Sequence, residues 1–249
     1  MSGKFRKVVS KIMIVLVTVS ILAVAIYCII YFLYYNYNEE LSVRPTDGVV
    51  VINDLFTTMY LVRTDKGYIA IDTGYNKLII RKGLEYNNIK PEDVKAVLIT
   101  HSDIDHQSAG ELFYKAQIYF PKEENEMIEK KIPRFSFLPF IKNSNNFKSY
   151  TLVNDNDSLL IDNRKIKCIS LPGHTLGSMG YIIDGKYLFS GDAFRIKNGK
   201  IALPNKKIFV MDIDKMKNSI KRVSELKGIK YIFSAHSGFT ADFGFAVSP

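Results

Sequence analysis

Four histidines occur in the 249 residues, and each stands at the end of a stretch that reads as a β-strand. His101 follows the β-branched run 94–100, and His106 lies in the same loop. His174 follows the run 166–171 through Pro172-Gly173, and His236 follows 229–233 through Ser234-Ala235. Asp192 comes after the run 187–189 in the same manner, through Ser190-Gly191. A rigid sheet presents ligands from loops at its strand ends, and histidines that merely fill a core have no reason to gather there. The fold must therefore bring several strand ends to one edge.

The densest group is His101-Ser102-Asp103-Ile104-Asp105-His106. In an extended loop, alternate residues face different ways, so one loop of this kind can feed two cations. Imidazole and carboxylate together suit zinc, iron or manganese. Neither Ser178 nor Cys168 is accompanied by a general base of its own, so nothing here points to a covalent nucleophile.

These segments resemble the metallo-β-lactamase superfamily. That family carries a loop of the form His-x-His-x-Asp-His, then Gly-His, then an Asp after a Ser-Gly pair, then a His near the C-terminus. The chain reads His101-Ser102-Asp103-Ile104-Asp105-His106, Gly173-His174, Ser190-Gly191-Asp192 and Ala235-His236, preceded by Asp72-Thr73-Gly74 where the family has Asp-x-Gly. The matching motifs run in family order from about residue 48 to 240. The resemblance implies an α/β fold, a four-layer αββα sandwich. It assigns His101, Asp103 and His174 to one metal, Asp105, His106 and His236 to a second, and Asp192 to a bridge between them. Asp72 would hydrogen-bond to a ligand and orient it.

Asp103 departs from the commonest family form, which has His there. A third aspartate leaves two divalent ions and a bridging hydroxide electrically neutral, where a histidine would leave them one unit positive. Such an oxygen-richer site shifts preference from zinc towards manganese or iron. Zinc remains the first expectation for the two ions, and Asp103→His is expected to be mild. The implied reaction is hydrolysis by a hydroxide held between two metals, with Asp105 as the catalytic carboxylate. Ester, lactone and phosphodiester substrates all fit, small or from the cell envelope. The alternatives are a tethered metal-binding interaction domain without activity, and a redox di-iron site.

Residues 12–35 form a 24-residue stretch without a charged side chain. As a helix it would be about 36 Å long, enough to cross a bilayer. Lys4, Arg6, Lys7 and Lys11 precede it and Glu39 and Glu40 follow it, which places the N-terminus in the cytoplasm and the remainder outside. Tyr27, Tyr31, Tyr34 and Tyr35 would form an interfacial belt. A cleaved signal peptide is the competing reading, through Ala23-Val24-Ala25, but it would leave Ile26-Tyr27-Cys28-Ile29-Ile30 as a poor soluble start. The expected organisation is a cytoplasmic basic segment at 1–11, a transmembrane signal anchor at 12–35, a tether at 36–47 and one metal-binding domain at 48–249.

The net charge is +9, and setting aside the four N-terminal cations leaves 30 basic against 25 acidic residues. That mild excess permits an anionic substrate or membrane surface and predicts no nucleic-acid partner. Cys28 and Cys168 read as small apolar fillers. Asp184-Gly185 predicts a type I′ hairpin between 181–183 and 187–189, and Asp214 reads as a helix N-cap. Residues 133–150 interrupt the pattern, and their apolar cluster of Phe135, Phe137, Leu138, Pro139 and Phe140 is expected to overhang the metal cleft and help choose substrate, with core packing and contact with the membrane surface as the alternatives.

Overall fold

Runs of Val, Ile, Tyr and Phe bounded by Gly, Asn and Asp build a strand-rich chain, and the strands assemble into two mixed sheets. The computed structural model describes residues 3–35, 42–55, 57–204 and 207–248. It opens with helix α1 (Gly3–Tyr35), whose stretch from Lys7 to Ile29 is long and apolar enough to cross a membrane and is not buried. The side chains of Tyr31, Tyr34 and Tyr35, and the chain at 36–41, lie outside the described residues.

The first sheet contains β1 (Ser42–Thr46), β2 (Val49–Asn53), β3 (Thr58–Arg63) and β4 (Tyr68–Ile71), then, after helix α2 (Lys77–Tyr86), β5 (Val94–Leu98). A single helical turn, α3 (Ile104–Gln107), precedes β6 (Gln117–Pro121), helix α4 (Lys122–Glu129) and β7 (Thr151–Val153). These seven strands pair in sequence order, antiparallel as far as β4 and parallel from β4 to β7. The second half supplies β8 (Ser158–Ile161), β9 (Arg164–Ser170), β10 (Met179–Ile183) and β11 (Tyr187–Phe189), and a small hairpin of β12 (Arg195–Lys197) and β13 (Lys200–Ala202). Helix α5 (Ile213–Ser224), β14 (Tyr231–Ser234), β15 (Gly238–Thr240) and the short α6 (Phe243–Ala246) complete it. The second sheet runs β15-β14-β11-β10-β9-β8, with β11 and β14 parallel.

Three apolar clusters define four layers. One lies between the sheets, around Tyr60, Ile71, Leu98, Tyr181, Phe189 and Phe233. A second packs Ile79, Ile80 and Leu84 of α2 on the outside of the first sheet, and a third packs Val223 of α5 on the outside of the second. This is the expected αββα sandwich. Two buried tyrosines tie the layers together beside the histidine loops. Tyr181 donates to the Ile99 carbonyl at 2.6 Å, and Tyr60 donates to the Ser234 carbonyl at 2.6 Å.

Several local expectations change. Residues 42–46, read as tether, form an edge strand. Its polar side chains suit a position with one β-neighbour, and Ser42 Oγ accepts from Asn87 at 2.7 Å. Asp212, not Asp214, caps α5, because its carboxylate accepts from the Asp214 and Lys215 amides. Cys28 is exposed on α1, whereas Cys168 is buried as expected. Asp184 and Gly185 take the positive φ angles of the I′ turn, 53° and 68°.

Candidate metal centre

Asp72, His101, Asp103, Asp105, His106, His174, Asp192 and His236 all converge on one edge of the sandwich, from the ends of β4, β5, β9, β11 and β14. Three groups have ligand atoms within 4.8 Å of one another: His101, Asp103 and His174; Asp105, His106 and His236; and His101, His106 and Asp192. Asp192 lies between the first two groups. Its Oδ2 is 3.4 Å from His174 Nε2 and 3.0 Å from His236 Nε2, and its Oδ1 is 3.6 Å from His106 Nε2. Asp105 Oδ2 is 3.3 Å from His236 Nε2 and 3.6 Å from His106 Nε2.

The partition within 101–106 does not come from an extended loop. The chain turns into α3 at Ile104, so Asp103, just before the turn, faces His101 and His174, while Asp105 and His106, on the turn, face His236. Exposed Ile104 lies between them on the cavity wall.

Hydrogen bonds fix the imidazoles from behind. His106 Nδ1 is 2.7 Å from Asp72 Oδ2. Thr100 Oγ1 donates to the same Oδ2 at 2.8 Å, so its oxygen must accept from His101 Nδ1, 3.0 Å away. Each ring thereby turns Nε2 inwards. The Nε2 atoms of His101 and His106, and Asp192 Oδ1, are buried without a hydrogen-bond partner among the described residues. Buried polar atoms are rarely left so, and a cation is what satisfies acceptors converging in this way. The donor set thus fits divalent metal.

Protonation reflects the same crowding. Burial works against charging His106, yet Asp72, Asp105 and Asp192 raise it to about 10. Burial likewise opposes charge on His236, and Asp192 and Asp105 raise it to about 11. For Asp105, burial is outweighed by His106 and His236, which hold it at about 2. Asp103 and Asp192 are held well below the usual carboxylate range, against burial, by the surrounding histidines. Burial dominates at His174 and keeps it below its ordinary value.

Two supporting residues escaped the sequence reading. Buried Glu124 on α4 accepts from Ser102 N (2.9 Å), Ser102 Oγ (2.5 Å), Thr175 Oγ1 (2.7 Å) and Gly177 N (3.2 Å), joining the loop of His101 to the loop of His174. Gly177 must be glycine, since a Cβ there would stand 2.0 Å from the Glu124 amide nitrogen. Buried Arg134 forms a two-point ion pair with Asp103, Nε to Oδ1 at 2.7 Å and Nη2 to Oδ2 at 2.7 Å. Both lie in charged or irregular stretches, and only the fold reveals their burial.

The centre opens into a cavity of about 980 Å³. The expected overhang is met only in part: Phe135 lines the cavity, together with Ile141 and Asn143 of the same segment, whereas Phe137 and Phe140 are exposed and do not line it. Phe147 turns away and packs against the cluster beneath α2 on the outside of the first sheet. Burial, with Asp157 and Asp155 nearby, pushes the Cys168 thiol up to about 12.

The family model of the metallo-beta-lactamase superfamily matches residues 52–236. A probable metallo-hydrolase of Methanocaldococcus jannaschii is 28% identical over 172 residues, covering 68% of this chain and 71% of that one. A hydroxyacylglutathione hydrolase of Buchnera aphidicola is 28% identical over 185 residues, covering 71% of this chain and 60% of its own length. In fold, the chain is similar to a metallo-β-lactamase of Cronobacter sakazakii, with a TM-score of 0.62 at 16% identity over 79% of this chain and 78% of that one.

Proposed function

Because the chain belongs to the metallo-β-lactamase superfamily as a metal-dependent hydrolase, we propose that it is a membrane-anchored enzyme cleaving an ester, lactone or phosphodiester outside the cytoplasm. The observation that carries the hydrolytic reading is the pair of buried, partnerless Nε2 atoms of His101 and His106, facing Asp192 from the two halves of the centre. His101, Asp103 and His174 would hold one ion, Asp105, His106 and His236 the other, with Asp192 shared. Divalent ions there, zinc first, would supply a water ionised near neutral pH and a Lewis acid for the substrate oxygen. Asp105, the most open of the three carboxylates at 22% side-chain exposure, orients the attacking water by accepting a hydrogen bond from it.

Leu55, Phe135, Ile141 and Phe209 give the cavity an apolar wall, and Lys142 and Arg195 set cations into it. This combination suits a substrate with an apolar group and a negative charge. The topology rests on the N-terminal cations ahead of an apolar helix, which retain the N-terminus inside.

The test uses the full-length chain in detergent, loaded in turn with zinc, manganese and iron. Metal content is measured, followed by turnover of chromogenic esters, lactones and phosphodiesters. Asp192→Ala should be the most damaging ligand substitution, since it leaves two cations facing each other. Well under one metal per chain with every ion would sink the hydrolytic reading and favour an inactive interaction domain. A C-terminal reporter fusion that reads cytoplasmic would overturn the topology.

A further inference from the structure

Arg134 is 2% exposed and comes from the irregular segment 133–150, which supplies none of the expected ligands. Its guanidinium reaches both oxygens of Asp103 and the Phe209 carbonyl, the latter at 2.9 Å. Asn143 Nδ2 adds a second donor to Asp103 Oδ1 at 2.7 Å. Oδ1 is therefore committed to two donors on the side away from the histidines. Oδ2 takes one N–H from Arg134 Nη2 at 2.7 Å and otherwise faces His174 Nε2 at 3.0 Å and His101 Nε2 at 3.6 Å. Arg134 Nη2 also lies 3.0 Å from His174 Nε2.

On the metal-binding reading above, we propose that Asp103 and Arg134 act as one unit, with Arg134 a positioning residue that keeps a carboxylate usable where the commonest form of the family has histidine. The pair does two things. It ties up Oδ1, so that Asp103 offers a single oxygen to a cation. It also contributes one positive charge beside one negative charge, so the pair carries the same net charge as a neutral imidazole. The oxygen-rich, electrically neutral site read from Asp103 alone is thereby brought back to one unit positive.

With Arg134 beside it, Asp103→His is no longer a mild change. That change leaves the buried guanidinium without its counter-charge, beside an imidazole and a bound cation, and stranding one partner of a buried ion pair is strongly destabilising. The unit is restored only by changing both residues.

The experiment compares full-length wild type, Asp103→His, Arg134→Met, Arg134→Lys and the double variant Asp103→His/Arg134→Met. Zinc and manganese affinities are measured by chelator competition, and melting temperature and circular dichroism are recorded for each. Asp103→His alone should lower the melting temperature by about 10 °C and zinc affinity by at least ~10-fold. The double variant should recover most of both. Arg134→Met alone should shift preference from zinc towards manganese, a shift absent in the Asp103→His background, and Arg134→Lys should fall between wild type and Arg134→Met. Additive effects of the two changes, in a wild type that binds metal, would overturn the unit and leave the hydrolase reading standing. A wild type with one metal per chain that gains a second on Arg134→Met would also overturn it, since the guanidinium would then be excluding an ion. Failure of wild type and every variant to bind metal would remove both readings together.

Discussion

Asp72 Oδ2 lies 2.7 Å from His106 Nδ1, and through Thr100 Oγ1 the same oxygen governs His101. One carboxylate thus sets the orientation of two imidazoles, one in each half of the centre. It also accepts from the Thr100 amide at 2.7 Å, which fixes the chain just before His101. Asp72 adopts a φ of 58°, a left-handed conformation that Asp tolerates better than most residues. Asp72→Ala should lower metal affinity by roughly 10–100-fold while leaving all proposed ligands in the sequence. Chelator competition checks this, and an unchanged affinity would reduce Asp72 to a turn residue.

Glu124 should matter for folding more than for chemistry. Its four accepted hydrogen bonds join two ligand loops inside the protein. Glu124→Ala strands buried donors on both loops and should cost about 3–5 kcal/mol, read as a fall in the denaturation midpoint. Gly177→Ala should also destabilise, because its methyl group meets backbone and not a flexible side chain. A Glu124→Ala variant as stable as wild type would show that the loops are held elsewhere.

Metal depletion should give a pH dependence of definite sign. His106, raised from 6.5 to about 10, stabilises the fold fully below 6.5, and that contribution is lost as pH rises through about 10. His236 behaves likewise through about 11. His174, held below 6.5, opposes them as one group against two. Asp105, lowered from 3.8 to about 2, stabilises above 3.8 and loses that contribution as pH falls through about 2. Asp103 and Asp192 shift in the same direction as Asp105. The chelated protein should therefore be most stable between pH 3.8 and 6.5, with melting temperature falling towards pH 10. Metal must also displace the protons on His106 and His236, so loading at pH 7 should release about two protons per chain. A pH-stat or indicator dye measures that release, and none would contradict the protonation described here.

Strand-end placement made all seven proposed ligands legible, because β-branched runs and the residues that end them are local signals. The interior strands were legible for the same reason. Arg134, Glu124 and the edge strand β1 were not. Arg134 and Glu124 look like solvated charges until segments far apart in the chain close over them, and Glu124 meets Thr175, 51 residues away. A polar edge strand such as β1 lacks the alternation that marks a half-buried one. The helical turn at Ile104 was hidden because 101–106 carries too little periodicity to distinguish it from an extended loop.

Phe137 and Phe140 are 51% and 75% exposed, whereas Phe135 and Ile141 line the cavity from the same stretch. Arg134 is anchored to Asp103, and its Cζ stands 4.8 Å from the centre of the Phe135 ring, so this wall is fixed to the metal centre by its neighbour. Substrate choice should therefore follow Phe135 and Ile141. Ile141→Ser should raise KM for esters with apolar acyl groups by roughly 2–5-fold, since Ile141 is itself 36% exposed and offers a substrate only part of its apolar surface. It should leave metal content and melting temperature nearly unchanged. Phe137→Ser with Phe140→Ser should alter neither KM nor stability on soluble substrates, because both rings face away from the cavity. KM measured across a series of acyl lengths separates the two pairs. A length-dependent change in the Phe137/Phe140 variant and none in Ile141→Ser would mean that substrate enters over the outer face of the segment and not beneath it.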